Sequence, residues 1–285
     1  MPTFQSNGKD SNDQVERSRN TVVIVQSSQP LAGRLLISFP KEHNNLNDLA
    51  HVARKYHVVL ISDEIYGLLH HTAQHISIAR FYPEGTIISS GLSKWCGAGG
   101  WRLGTFSFPS NLRWLQDAMA IVASETYTAT SAPIQYAAIT AFKGGDYMEE
   151  YLHKSRKILR ELSRILLAKL RSFHVVVPQP HGAFYFFPDF EYYREKLKKR
   201  GIFTSVELCK RILNDTGVAM LPGNDFGRQP EELTARIAYV AFNGKEVLEA
   251  TNDINNHHLN YSFYEKHCAE LIEAIDQLGN WFDTL

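Results

Sequence analysis

The sequence predicts a mixed α/β protein: a parallel-rich sheet domain over residues 21–143, followed by a small α+β domain over residues 144–285. Three observations predict it. Short apolar runs rich in β-branched residues, at 21–26, 58–61 and 87–90, are separated by one amphipathic helical stretch and one long connection, which is the spacing of strands that pair in parallel. The stop signal Lys143-Gly144-Gly145-Asp146 closes that half. A long basic and apolar helix at 146–171 then leads into short strands and helices in a different order.

Residues 1–20 are polar, lack periodicity and read as a disordered lead-in. The run at 21–26 is a buried strand, followed by the turn-rich connection Ser27-Ser28-Gln29-Pro30-Leu31-Ala32-Gly33. Residues 44–56 place Leu46, Leu49, Ala50 and Ala53 on one helix face, with Asn and Asp available to cap. The run at 58–61 ends in Ser62-Asp63-Glu64-Ile65-Tyr66, and a loop to Thr86 precedes the run at 87–90. A further strand is expected at 103–108, closed by Pro109, and helices at 111–123 and 133–142 flank a small-residue break at 126–131. The second half predicts strands at 175–177 and 182–187, a helix at 205–215 and a strand carrying Arg236. A polar loop at 243–260 and a terminal amphipathic helix at 261–278 complete it.

Composition excludes several classes. Apolar residues at 44% and charged residues at 21% are ordinary for a soluble globular chain. A net charge of zero and a pI near 7.2 leave no electrostatic case for nucleic acid as main partner. No apolar stretch reaches membrane-span length, and the first residues show no targeting pattern, so a cytoplasmic location is the default expectation. Cys96, Cys209 and Cys268 are odd in number and lack metal-ligand spacing, which points to free thiols. His70-His71 with His75, and His257-His258, share no helix face and no carboxylate cluster, so no metal site is expected.

Chemistry concentrates in Gly91-Leu92-Ser93-Lys94-Trp95-Cys96-Gly97-Ala98-Gly99-Gly100-Trp101-Arg102-Leu103-Gly104. Lys94 follows an apolar strand and sits among small residues. Partial burial of such a lysine disfavours the ammonium, and the neutral amine is the form that condenses with an aldehyde. Arg102 adds a permanent cation behind a glycine-rich turn whose N–H groups can approach a phosphate. If the two strands are parallel neighbours, Asp63, Tyr66, Lys94 and Arg102 converge at their carboxyl ends, where open α/β sheets bind ligands.

These segments resemble the pyridoxal-phosphate-dependent aminotransferases of class I/II, of fold type I. The lysine stretch is similar to that family's lysine signature and Ser62-Asp63-Glu64-Ile65-Tyr66 to its cofactor-ring motif. Ala235-Arg236-Ile237-Ala238-Tyr239-Val240-Ala241-Phe242 is similar to its substrate-carboxylate segment. The resemblance implies a PLP-transferase fold type I, with a partial sheet domain and a small C-terminal domain. It also implies amino transfer between an α-amino acid and a 2-oxo acid, with pyridoxal 5'-phosphate as cofactor. Lys94 would be the aldimine lysine, Asp63 the partner of the pyridine nitrogen and Tyr66 a donor to the ring hydroxyl. Arg102 and Ser93 would hold the phosphate, and Arg236 would pair with the substrate α-carboxylate.

Family chains carry a long N-terminal portion that this one lacks; it supplies sheet strands, a phosphate-cradling loop and an aromatic that stacks on the ring. Gln29-Pro30-Leu31-Ala32-Gly33 stands where the family has Asn-Pro-Thr-Gly, and Gly91 where many relatives have serine. The family is homodimeric, so a homodimer is expected when that portion is supplied, and residues 126–135 resemble a region near its interface. Two other readings compete. One is a catalytically silent protein that keeps the fold and binds a partner or the cofactor; the weaker is a nucleotide-binding α/β protein, because residues 97–104 carry neither G-x-G-x-x-G nor a Walker pattern.

Overall fold

The apolar runs form the larger of two sheets in a computed structural model that describes residues 22–26, 36–38, 43–252 and 259–285. The lead-in at 1–20, the connection at 27–33 and His257-His258 lie outside those residues. The strands are β1 (Val22–Gln26), β2 (Leu36–Ser38), β3 (Val59–Asp63), β4 (Thr86–Gly91) and β5 (Gly104–Ser107), in the order β2-β1-β3-β4-β5. β1 pairs in parallel with β2 and β3, and β3 with β4, while β5 closes antiparallel on β4. β3 and β4 are thus neighbours, with Asp63 opposite Ser89. Helix α1 (His43–Lys55) buries Leu46, Ala50 and Ala53 with Leu60, Ile78 and Tyr82 in a small core.

Where β4 meets β5, Gly91 lies opposite Gly104. A Cβ on Gly91 would lie 2.6 Å from the carbonyl oxygen of Leu103 and 3.2 Å from Gly104 Cα, so no side chain fits between the strands there. That close approach fixes where the lysine loop leaves the sheet. Helices α2 (Arg113–Thr126) and α3 (Ala132–Lys143) follow, and they pack differently from the rest. No α2 residue is buried and α3 buries only Ala138, leaving Trp114, Ile121, Val122, Tyr127, Tyr136 and Ile139 exposed.

Helix α4 (Asp146–Ser172) restores ordinary packing: Leu152, Leu159, Leu162, Leu166 and Leu170 form a stripe of i, i+3 and i+4 positions in the main core. Strands β6 (Tyr185–Phe186), β7 (Leu221–Pro222) and β8 (Ala235–Ala238) form an antiparallel sheet in the order β6-β8-β7. Around it lie α5 (Arg194–Lys199), α6 (Ser205–Thr216), α7 (Gly244–Ala250), α8 (Tyr261–His267) and α9 (Ala269–Asp283). A reciprocal capping box between Thr204 and Glu207 starts α6, and Gly217 ends it in the left-handed region.

Several expectations are corrected. Residues 175–177 form no extended strand but a single bridge, Val176 to Asp189. The stretch read as a polar loop at 243–260 contains α7, which Asn243 caps by accepting from the N–H of Glu246. Only Val247 of that helix is buried, so its sequence shows no apolar stripe. The terminal helix breaks at Cys268, into α8 and α9, and α9 runs on to Asp283.

One link ties the halves together. The N–H of His71 donates to His181 O at 2.9 Å, the N–H of Ala183 donates to Leu69 O at 3.1 Å, and His71 Nε2 donates to Ala183 O at 3.1 Å. Burial holds the pKa of His71 below the usual imidazole range, against the raising effect of the Ala183 carbonyl.

Two predictions follow from this packing. Gly91→Ala will cost about 1–3 kcal/mol in urea unfolding, because backbone must move to admit the methyl group; wild-type stability would contradict the close strand approach. The folded state prefers neutral His71, so its contribution is complete above the unfolded value of about 6.5 and is lost as pH falls through the lower folded value. Urea midpoints will therefore drop on acidification below about pH 6.5, and His71→Gln will flatten that slope.

Candidate active site

The turn after β3 is held from several sides. The N–H of Glu64 donates to Ser89 O at 2.8 Å, extending the parallel ladder one residue beyond the strand, and the N–H of Gly67 returns to Glu64 O at 2.9 Å. Asp63 is half-buried; burial raises its pKa, the N–H of Ile65 opposes that, and Glu64 adds to it. Glu64 points the other way, accepting from Ser62 Oγ, Ser77 Oγ and His75 Nε2. Burial acts to raise its pKa, but those donors outweigh it and the net shift is downward. Gly67 is required here, since a Cβ would lie 2.8 Å from the His75 ring. The bracket of Glu64, His75 and Ser77 fixes the segment that carries Asp63 and Tyr66.

The lysine loop is a compact turn closed by backbone bonds. Leu92 N–H donates to Leu103 O, Ala98 N–H to Leu92 O and Gly97 N–H to Lys94 O, with Gly97 in the left-handed region. Leu92 and Trp95 anchor it in the main core. Lys94 is half-buried, and its Nζ lies 5.9 Å from the ring centre of Tyr66 and 6.0 Å from that of Phe184. A cavity of 450 Å³ opens beside it, lined by Ser93, Lys94, Gly97, Tyr151 and Phe184 among others. Arg102 takes left-handed backbone, is exposed, and donates from Nη1 to Gly99 O of its own loop at 2.8 Å.

Strands β6 and β8 bring the remaining cation. The Arg236 guanidinium carbon lies 4.6 Å from the ring centre of Tyr185 and 4.3 Å from that of Phe226. Tyr185 in turn places its hydroxyl 3.2 Å from that of Tyr66. Burial raises the pKa of Tyr66, as does the Tyr185 hydroxyl, while the charge of Arg236 acts to lower it. Tyr66 is therefore a neutral phenol between Lys94 and Arg236. The structure gathers Tyr66, Lys94 and Arg236 about one aromatic cluster, with Asp63 three residues from Tyr66 and Ser93 beside the lysine. It places Arg102 at the exposed edge of the loop.

Sequence reasoning did not single out Tyr185, Phe184, Glu64 or His75 as site residues. Phe184 and Tyr185 read as alternating strand residues, and only their partners across the chain reveal a site. His75 pairs with the Glu64 carboxylate, next to Asp63.

Residues 41–254 match the family model described as aminotransferase class I and II. The chain is 34% identical over 198 residues to an aspartate aminotransferase of Bacillus sp. (strain YM-2), a match spanning 68% of this chain and 48% of that protein. It is 32% identical over 233 residues to an asparagine–oxo-acid transaminase of Streptococcus mutans serotype c, spanning 78% and 54%. Among solved structures it resembles an aromatic aminotransferase from Pyrococcus horikoshii OT3, with a TM-score of 0.70 and 25% identity over 94% of this chain and 61% of that one. The chain spans about half the length of the curated relatives it matches. Its architecture is that of the pyridoxal-phosphate-dependent transferases of fold type I. With the family model covering most of its length and the strand ends arranged as described, the chain belongs to the class I and II aminotransferases, a pyridoxal 5'-phosphate-dependent family.

Proposed function

We propose that this chain carries the lysine, ring-nitrogen and carboxylate-binding groups of an aminotransferase that moves an amino group between an α-amino acid and a 2-oxo acid. The observation that carries this reading is the placement of Lys94 Nζ beside Tyr66, itself hydrogen-bonded to the residue on which Arg236 stacks. The donor set fits pyridoxal 5'-phosphate. Burial raises the pKa of Asp63, and a cationic ring nitrogen beside it would act in the opposite direction, favouring the carboxylate. Tyr66 stays protonated and can donate to a ring oxygen. Lys94 is a half-buried primary amine whose Nζ lies 5.9 Å from the ring centre of Tyr66.

When bound, the cofactor supplies a pyridinium ring that accepts the electrons left on the substrate α-carbon as its proton departs. The chain's own groups do the rest. Lys94 would be the amine that holds the cofactor, and its free Nζ would be the base that takes the substrate α-proton and the acid that returns it. The Asp63 carboxylate would hold a proton on the ring nitrogen. The Arg236 fork binds the substrate α-carboxylate in a bidentate pair, and the ring faces of Tyr185 and Phe226 keep it flat. Ser93 and Arg102 are assigned to the phosphate, for which Arg102 must exchange its bond to Gly99 O.

The open faces belong to the same reading. We assign the exposed apolar side chains of α2 and α3 to a homodimer contact formed with the additional length that the relatives possess. A second cavity of 660 Å³ lies there, lined by Leu103, Thr105, Tyr127, Gln135, Ala138 and Phe142. The division into two domains near Lys143 and a cytoplasmic location go with this reading. No helix among the described residues is long and apolar enough to cross a membrane. A silent protein that holds cofactor or partner without turnover is the second reading, and the exposed position of Arg102 favours it.

Incubation with pyridoxal 5'-phosphate, borohydride reduction and peptide mapping will place a single adduct on Lys94, absent in Lys94→Ala. Labelling spread over surface lysines contradicts the assignment. L-Aspartate added before reduction separates the two readings: release of Lys94 with formation of the oxo acid supports turnover, and an unchanged adduct supports the silent protein.

A further inference from the structure

The geometry points to Tyr185 as a positioning residue that turns the Tyr66 hydroxyl hydrogen toward the ring oxygen of bound cofactor and holds the Arg236 guanidinium flat for a substrate carboxylate. The inference rests on the reading given under Proposed function, and it deepens that reading by joining its cofactor side to its substrate side.

The two phenol oxygens lie 3.2 Å apart, though 119 residues separate them in sequence. Each phenol has one hydrogen and can also accept. A bond between two phenols uses only one of their two hydrogens, so one hydroxyl stays available to a third group. When Tyr185 donates, that available hydrogen is on Tyr66. Ring contacts hold both phenols in place: the Tyr66 ring meets Tyr185 edge-to-face at 5.8 Å and 84°, and Phe184 at 5.8 Å and 78°. Desolvation keeps Tyr66 protonated, so it remains a donor.

The same tyrosine supports Arg236 from its face. Tyr185 is opposite Ala238 in the β6–β8 register, and Arg236, two residues from Ala238, projects on the same side of β8. This puts the guanidinium carbon 4.6 Å from the Tyr185 ring centre, with Phe226 at 4.3 Å. A guanidinium held against ring faces keeps its N–H edge free for a bidentate carboxylate. The hydroxyl and the ring therefore do separate jobs.

The test records cofactor absorbance against pH for wild type, Lys94→Ala, Tyr185→Phe and Tyr185→Leu, all saturated with pyridoxal 5'-phosphate, and then titrates each with L-aspartate. A donor at the ring oxygen lowers the proton affinity of the bound chromophore, so its loss raises the pH midpoint. Tyr185→Phe is expected to raise that midpoint by about 0.5–1 unit, a three- to tenfold change in proton affinity, with L-aspartate affinity within about twofold of wild type. Tyr185→Leu is expected to show the same shift and to bind L-aspartate about tenfold more weakly. A Lys94-dependent band whose midpoint does not move in Tyr185→Phe overturns the hydroxyl's role and leaves the Lys94 reading standing. Equal L-aspartate affinity in the Phe and Leu variants overturns the role of the ring. Absence of any Lys94-dependent band overturns the underlying reading and this inference with it.

Discussion

The candidate site depends on the short link between residues 69–71 and 181–183. Its three hydrogen bonds join the segment just after Tyr66 to the segment just before Phe184 and Tyr185. Gly182 permits the approach, since a Cβ there would lie 3.1 Å from His70 Cα and 3.2 Å from Leu69 O. The strand ends bearing Asp63 and Lys94 and the strand bearing Arg236 belong to two separate sheets, and this contact is one of those that hold the two together. With it, a phenol, an amine and a guanidinium share one aromatic cluster. The link also buries the His71 imidazole, and that burial lowers its pKa.

A second constraint acts on the lysine side. β4 and β5 approach so closely at Gly91 that the chain must turn out of the sheet at once, and the next residues fold into the loop that anchors Leu92 and Trp95. Lys94 projects between two anchored apolar residues, which limits how far its amine can wander. Glu64, His75 and Ser77 do the equivalent for the Asp63 turn. The turn carrying Asp63 and the loop carrying Lys94 are thus each held by neighbouring side chains, as a preorganised site requires.

Much of this was legible in sequence because it is local. Strand ends carrying Asp63 and Lys94 follow from apolar runs, α1 and α4 from their periodic leucines and alanines, and the adjacency of β3 and β4 from parallel pairing. The pairing of Tyr66 with Tyr185 was not legible, because no local pattern reports a contact across 119 residues. The helix α7 hid behind a polar surface with one buried valine, and β2 is too short for a run of three apolar and polar residues to announce it. The position of Arg102 follows from a left-handed residue and a bond to Gly99 O, which a motif cannot specify. The nearly unburied α2 likewise reads as an ordinary amphipathic helix until its surroundings are seen.

The central claim is that these strand ends form one cofactor site. A crystal structure of the chain soaked with pyridoxal 5'-phosphate tests it most directly. The account predicts continuous density from Lys94 Nζ to the cofactor, with the Asp63 carboxylate within hydrogen-bond distance of the ring nitrogen and the Tyr66 hydroxyl within reach of the ring oxygen. Cofactor bound elsewhere, or attached to Lys94 with its ring nitrogen turned away from Asp63, would contradict it.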